Sequence, residues 1–197
     1  MGKIAGMPVP TEPNSLSAPT AAPSVLAGAN VHFLTQARAL LSRLDDEIYA
    51  APSVLPMSPV GGHLRHCLDF YSCFLAGLEN GRVDYDARCR DPRVETDRAH
   101  ALGVIDSLID RLGRLDAAEE ARSLQVAGDR GPGEEGGDAW SPSSVRRELQ
   151  FLRSHTVHHF ALIRAVLHLF DFETDPDFGV APSTLTFRER QTTKSPA

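Results

Sequence analysis

The sequence predicts an all-α fold, an antiparallel four-helix bundle, on three observations. Four segments carry apolar residues at steps of three and four, proline or glycine punctuates the gaps between them, and no internal repeat occurs at solenoid periods. Helices that are apolar along one stripe must bury those stripes against one another. A chain of 197 residues, 42% of them hydrophobic, is long enough to do so in one domain with its own core.

Residues 1–28 hold five prolines, Pro8, Pro10, Pro13, Pro19 and Pro23, among Ala, Ser and Thr without an apolar period, which predicts a disordered leader outside the fold. From Asn30 onward Phe33, Leu34, Ala37, Leu40, Leu41, Leu44 and Ile48 recur with helical spacing and define a first helix. Pro52 and Pro56 break the chain, and Ser58-Pro59 offers a capping side chain followed by proline at the first helical position. A second helix is expected from about Pro59 to Glu79, apolar through Leu64, Cys67, Leu68, Tyr71, Phe74, Leu75 and Leu78, and closed by Asn80-Gly81. The polar, arginine-rich stretch 83–94 reads as a loop. A third helix follows over about residues 95–123, with Ala101, Val104, Ile105, Leu108, Ile109, Leu112 and Leu115 as its buried stripe and the acidic run Asp116 to Glu120 on its exposed face. Glycine and charge dominate residues 124–138, a loop flanked by a short hairpin through Leu124 to Val126 and Ala139-Trp140. Ser141-Pro142 repeats the cap-then-proline start for a fourth helix running to Phe170, the longest of the four. The tail from Asp171 is too apolar for disorder and is expected to fold back over the bundle, giving a domain over 29–190 and a disordered end at 191–197.

Composition narrows the function. Twenty Lys and Arg against 26 Asp and Glu give a net charge of -6, spread along the chain, so no basic stripe draws phosphates and nucleic acid is not an expected partner. No stretch reaches the roughly 18 apolar residues of a membrane span, and the N-terminus lacks the charged-then-apolar layout of a secretory signal. Gly6 stands where a myristoylation pattern needs Ser or Thr. These readings predict a soluble cytoplasmic protein without membrane attachment. Cys67, Cys73 and Cys89 have no CxxC spacing and read as reduced thiols, and two of them six apart on a helix point to different faces.

The chemistry lies in the histidines. His155 and His159 are four apart on one helix face, where two imidazoles can share a cation. Leu152, Leu162 and Ile163 place the pair toward the core, where an unpaired polar ring costs about 1 to 3 kcal/mol. His63 and His66, three apart on the second helix, offer a partner from across the bundle. Either would complete a set of three nitrogens with an open fourth position, the arrangement of catalytic rather than structural zinc sites. His158 lies about 100° round the helix and reads as a packing or surface residue. Asp69 could accept the second N–H of a ligand histidine and fix its tautomer, and His63 could orient a metal-bound water or accept a proton. The segment Asp84 to Asp91 mixes paired charges with an aromatic and could close over an anionic substrate through Arg88 and Arg90.

His66-Cys67-Leu68-Asp69 on the second helix, combined with His155-x-x-x-His159 on the fourth, resembles the DinB/YfiT-like family of four-helix metalloproteins over about residues 30–170. The resemblance implies that His66, His155 and His159 bind one divalent metal ion. An all-imidazole set suits zinc, nickel, copper and iron alike, with zinc or nickel the first expectation. It further implies a metal-dependent enzyme that activates a small thiol or water on a small-molecule substrate, thiol-dependent transfer being the class expected first. A low-molecular-weight thiol would then be a second cofactor, although no thiol-cofactor motif stands in the chain. The fragment Gly61 to His66 and the tail Phe178 to Ser183 are similar to a bacterial subgroup of the family. In one departure, many relatives follow the second histidine of the pair with Arg-Gly-Gln, whereas this chain has Phe160-Ala161-Leu162, so functions that need that polar turn are not carried over. The rival expectation is a non-catalytic metal-binding or stress-response protein, marked by a tail at 178–185 that seals the metal from solvent. A third expectation is a metal-free helical bundle, a homodimer through the apolar residues of the first helix.

Overall fold

A computed structural model describes residues 22–52, 58–128 and 140–193. Expectations for the leader up to residue 21, for Pro56, for most of the glycine-rich loop and for residues 194–197 lie outside the described residues. The chain runs α1 (Val25–Arg43), α2 (Asp46–Ala50), α3 (Val60–Gly77), β1 (Arg82–Asp84), α4 (Arg93–Thr96), α5 (Arg98–Gly113), β2 (Ser123–Ala127), β3 (Ser141–Ser144), α6 (Val145–His168) and α7 (Pro182–Thr193). Single 3-10 turns occupy Tyr85–Ala87 and Glu119–Ala121. The long helices α1, α3, α5 and α6 pack on one another. Their stripes meet in one core, with Leu34, Leu41, Leu64, Tyr71, Phe74, Ile105, Leu149 and Phe160 fully buried. Phe33, Leu34, Ala37, Leu40 and Leu41 of the first helix are buried in this core, while Val25 at its start is exposed.

The fold is mostly helical, and the all-α expectation is corrected by a three-stranded sheet of order β1-β2-β3. β1 runs parallel to β2, pairing Val83 with Val126, and β2 runs antiparallel to β3, pairing Leu124 with Ser143. Strands of three to five residues are too short to reveal a period of two, so their pairing is decided by neighbours distant in sequence. The expected hairpin is present as β2 and β3, but its second arm is Ser141–Ser144. Pro142 therefore sits in an edge strand, where its missing N–H costs no ladder bond, instead of opening a helix. The cap of α6 is Ser144, whose hydroxyl accepts the Arg147 N–H at 3.2 Å.

Other boundaries move for similar local reasons. The first helix begins at Val25, because Ser24 accepts the Ala27 N–H at 2.9 Å, so part of the expected leader is helical. It ends at Arg43, and Asp45, accepting the Ile48 N–H, starts α2. Glu120, expected on an exposed acidic face, is buried: its carboxylate takes the Ser24 hydroxyl at 2.7 Å, the Leu26 N–H at 3.2 Å and Arg146 at 2.9 Å. An anion there complements the positive N-terminal end of α1. The third helix is shorter than expected because Asp97 caps α5 from the His100 N–H at 2.9 Å, and the segment before it is not a bare loop but β1, a 3-10 turn and α4. Pro59, not Ser58, occupies the cap position of α3, without a side-chain hydrogen bond.

The tail folds back only in part. Phe178 is buried and stacks on Phe160, ring centres 4.5 Å apart, and Gly179 holds a φ of 71° against the Phe160 and Ala161 backbone. Beyond it, α7 buries no residue. No described helix is long and apolar enough to cross a membrane.

Candidate metal centre

α3 and α6 lie side by side, and the contact is pinned by a buried polar chain. The Tyr71 hydroxyl donates to Asn30 Oδ1 at 2.7 Å, and Asn30 Nδ2 donates to the Leu149 carbonyl at 3.0 Å. The Thr156 hydroxyl lies 3.0 Å from that of Tyr71. Because buried polar groups must be paired, this chain sets the register of α1, α3 and α6 next to the histidines. In that register His66 from α3 meets His155 and His159 from α6, with one ligand atom from each lying within 4.8 Å of the others. The three ring centres are 4.6 to 4.9 Å apart.

His63, one turn before His66, places its Nδ1 3.1 Å from Nδ1 of His159. Only one of two facing imidazole nitrogens can carry the shared proton. If His159 keeps its proton on Nδ1 and donates it to His63, its Nε2 lone pair is free for a cation. In that tautomer His63 would take the place that the sequence suggested for Asp69. The carboxylate of Asp69 is buried and bonded instead by Arg65 at 2.7 Å, and Arg65 also binds Glu95. A basic neighbour at the i−4 position captured the aspartate.

The donor set fits a divalent cation. Nε2 of His155 and of His63 are both buried without a hydrogen-bond partner among the described residues, and of the two only His155 belongs to the converging group, where an orphaned nitrogen suits a cation. Burial, reinforced by His155 and Arg88, lowers His66 to about 4, and burial with the neighbouring histidines lowers His159 to about 3. His63 and His155 are also lowered, burial again being the main cause. All four rings are therefore held neutral near pH 7, with lone pairs available.

A pH dependence follows. As pH falls below 6.5, unfolded histidines bind protons that folded His66 and His159 decline, so the unfolded state gains protons and the stability of the metal-free protein falls. The loss runs from about 6.5 down to about 4 for His66 and about 3 for His159. The urea midpoint of chelator-treated protein is expected to drop from pH 7 to pH 4, and His159→Gln to flatten that drop. An equal drop in the variant would show that His159 does not contribute.

His66 and His155 also line a cavity of about 580 Å³, bounded by Phe70, Tyr85 and Phe151 and by Arg88, Arg90 and Arg147. Both arginines proposed from the sequence are in that wall. Glu148 of α6 and Tyr85 of the first 3-10 turn, neither singled out from the sequence, belong to it too. The Glu148 carboxylate is buried and accepts the Tyr85 hydroxyl at 2.9 Å and the Ser143 hydroxyl at 2.5 Å. The available signal was spacing, since Glu148 precedes His155 by seven residues, two turns along one face. His158 is exposed, edge-on to His159. Burial pushes the Cys67 thiol up, and Cys73 is pushed up to about 11 and donates to the Asp84 carbonyl, so neither is activated; Cys89 is exposed, outside the histidine group.

These features define a class: a mostly helical protein in which three imidazoles from two packed helices converge beside a cavity and could bind a divalent cation. A family model for the DinB superfamily matches residues 33–163, and the chain belongs to that superfamily. No curated protein and no solved structure matches it significantly.

Proposed function

We propose that the protein is a metal-dependent enzyme that acts on a small molecule at the histidine group, thiol-dependent transfer being its first candidate reaction. His66, His155 and His159 would hold the cation, with zinc or nickel the first candidates, and His63 would fix His159. When bound, such a cation supplies Lewis acidity that lowers the pKa of a coordinated thiol or water. The single observation that carries turnover, rather than storage, is the cavity of about 580 Å³ that opens onto His66 and His155. The tail, which a sealed centre would need as its plug, instead packs Phe178 on Phe160. Phe70 stacks on His155 with ring centres 4.6 Å apart and covers part of the imidazole, which limits water at that wall. Arg88 and Arg90 would bind the anionic part of the substrate.

The test is metal analysis joined to a reaction screen. Protein loaded with zinc or nickel is expected to accelerate attack of a small thiol on an electrophile, and protein stripped by chelator or carrying His155→Ala is not. Loaded protein that accelerates neither thiol transfer nor ester hydrolysis sinks the enzyme reading and leaves a non-catalytic metal-binding protein.

A further inference from the structure

The same cavity contains an arginine with one buried donor that has no partner among the described residues. Arg88 Nη1 donates to the Tyr85 carbonyl at 2.6 Å, and its guanidinium lies 4.8 Å from the centre of the Phe70 ring. These two contacts orient the head group. Its Nε is buried and finds no hydrogen-bond partner among the described residues. An unpaired buried donor on a charged group is costly, so a ligand that satisfies it is strongly favoured. With Nη1 committed to the main chain, the edge left for a ligand is formed by Nε and Nη2, two parallel N–H donors that match the two oxygens of a carboxylate.

The rest of the wall restricts what the carboxylate is attached to. Phe70 and Tyr85 stack at 4.9 Å with 20° between their planes, and Phe151 is tilted against both. Flat apolar surface next to a guanidinium suits a planar, unsaturated body. Charge restricts the anion: three arginines against two carboxylates, Asp86 and Glu148, leave one net positive charge on the lining of the metal-free protein, which in that state complements a monoanion better than a phosphate dianion. We propose that this cavity binds a small planar carboxylate, its two oxygens on the Nε–Nη2 edge of Arg88 and its body against the aromatic wall. The inference rests on the cavity being the substrate site, and the carboxylate is held by arginine rather than by the cation.

Calorimetry on the full chain stripped by chelator tests it, with benzoate, benzamide and inorganic phosphate as probes and metal uptake measured on the same protein in parallel. Benzoate is expected to bind at least about tenfold more tightly than benzamide or phosphate, and Arg88→Gln to weaken it about ten- to hundredfold. His159→Ala is expected to keep benzoate binding while losing metal. Should Arg88→Gln fail to fold, Arg147→Gln, at a side chain 62% exposed, is expected to weaken benzoate by a smaller factor. Equal binding of benzamide or phosphate overturns the proposal. So does unchanged benzoate affinity in the arginine variants, or its loss in His159→Ala. Benzoate binding without metal uptake supports this inference and sinks the metal-dependent one, whereas metal uptake without benzoate binding does the reverse.

Discussion

His155→Ala and His159→Ala are each expected to abolish stoichiometric uptake of zinc or nickel, while His158→Ala is expected to leave it intact; elemental analysis after loading and desalting is the measurement. The contrast rests on one helix. His155 and His159 turn toward His66, where their ligand atoms lie within 4.8 Å, whereas His158, between them in sequence, is exposed. Removing one of three ligands leaves two nitrogens, which cannot compete with water for the cation at micromolar metal. His63→Ala should fall between these cases, with affinity lowered about 10- to 100-fold, because it removes the partner that fixes His159 and not a ligand. Equal loss in all three alanine variants of α6 would mean that the wrong nitrogens have been assigned.

Gly61→Ala is expected to destabilise the protein by about 3 kcal/mol or more, read as a lower urea midpoint. A Cβ at this position of α3 would lie 2.0 Å from the Glu95 carbonyl oxygen and 2.7 Å from its carbon. Both atoms are backbone, so no side-chain rotation relieves the clash and α4 must move away from α3. The matched control is Gly103→Ala within α5, where nothing lies within 4 Å of the added methyl. There the substitution is expected to stabilise by about 0.5 to 1 kcal/mol, through reduced freedom of the unfolded chain. If both variants unfold at the wild-type midpoint, the close approach of α3 and α4 does not exist in solution.

Gly61 also shows where reading the sequence stops. Its place five residues before His66 is plain from the chain, but its reason, the passage of Glu95 against it, is a contact between segments 34 residues apart. Ser24 and Glu120 repeat the pattern: a proline-rich approach and an acidic run look like solvated chain until their hydrogen bond joins them across 96 residues. β1 and β2 do the same over a shorter span.

What the sequence alone determined is what local geometry controls. The four long helices follow from apolar spacing, and the shared face of His155 and His159 follows from four-residue spacing on one of them, because both properties are set by the helical repeat. The His66 motif on α3 carried the resemblance that the superfamily match then established. Tertiary structure alone decided which group faces the second nitrogen of His159, where Arg65 takes Asp69, and how Arg88, Arg147 and Glu148 come to surround one cavity with His66 and His155. These depend on how α3, α6 and the sheet pack. Packing is fixed by shape and by the pairing of buried polar groups, which no period along the chain encodes.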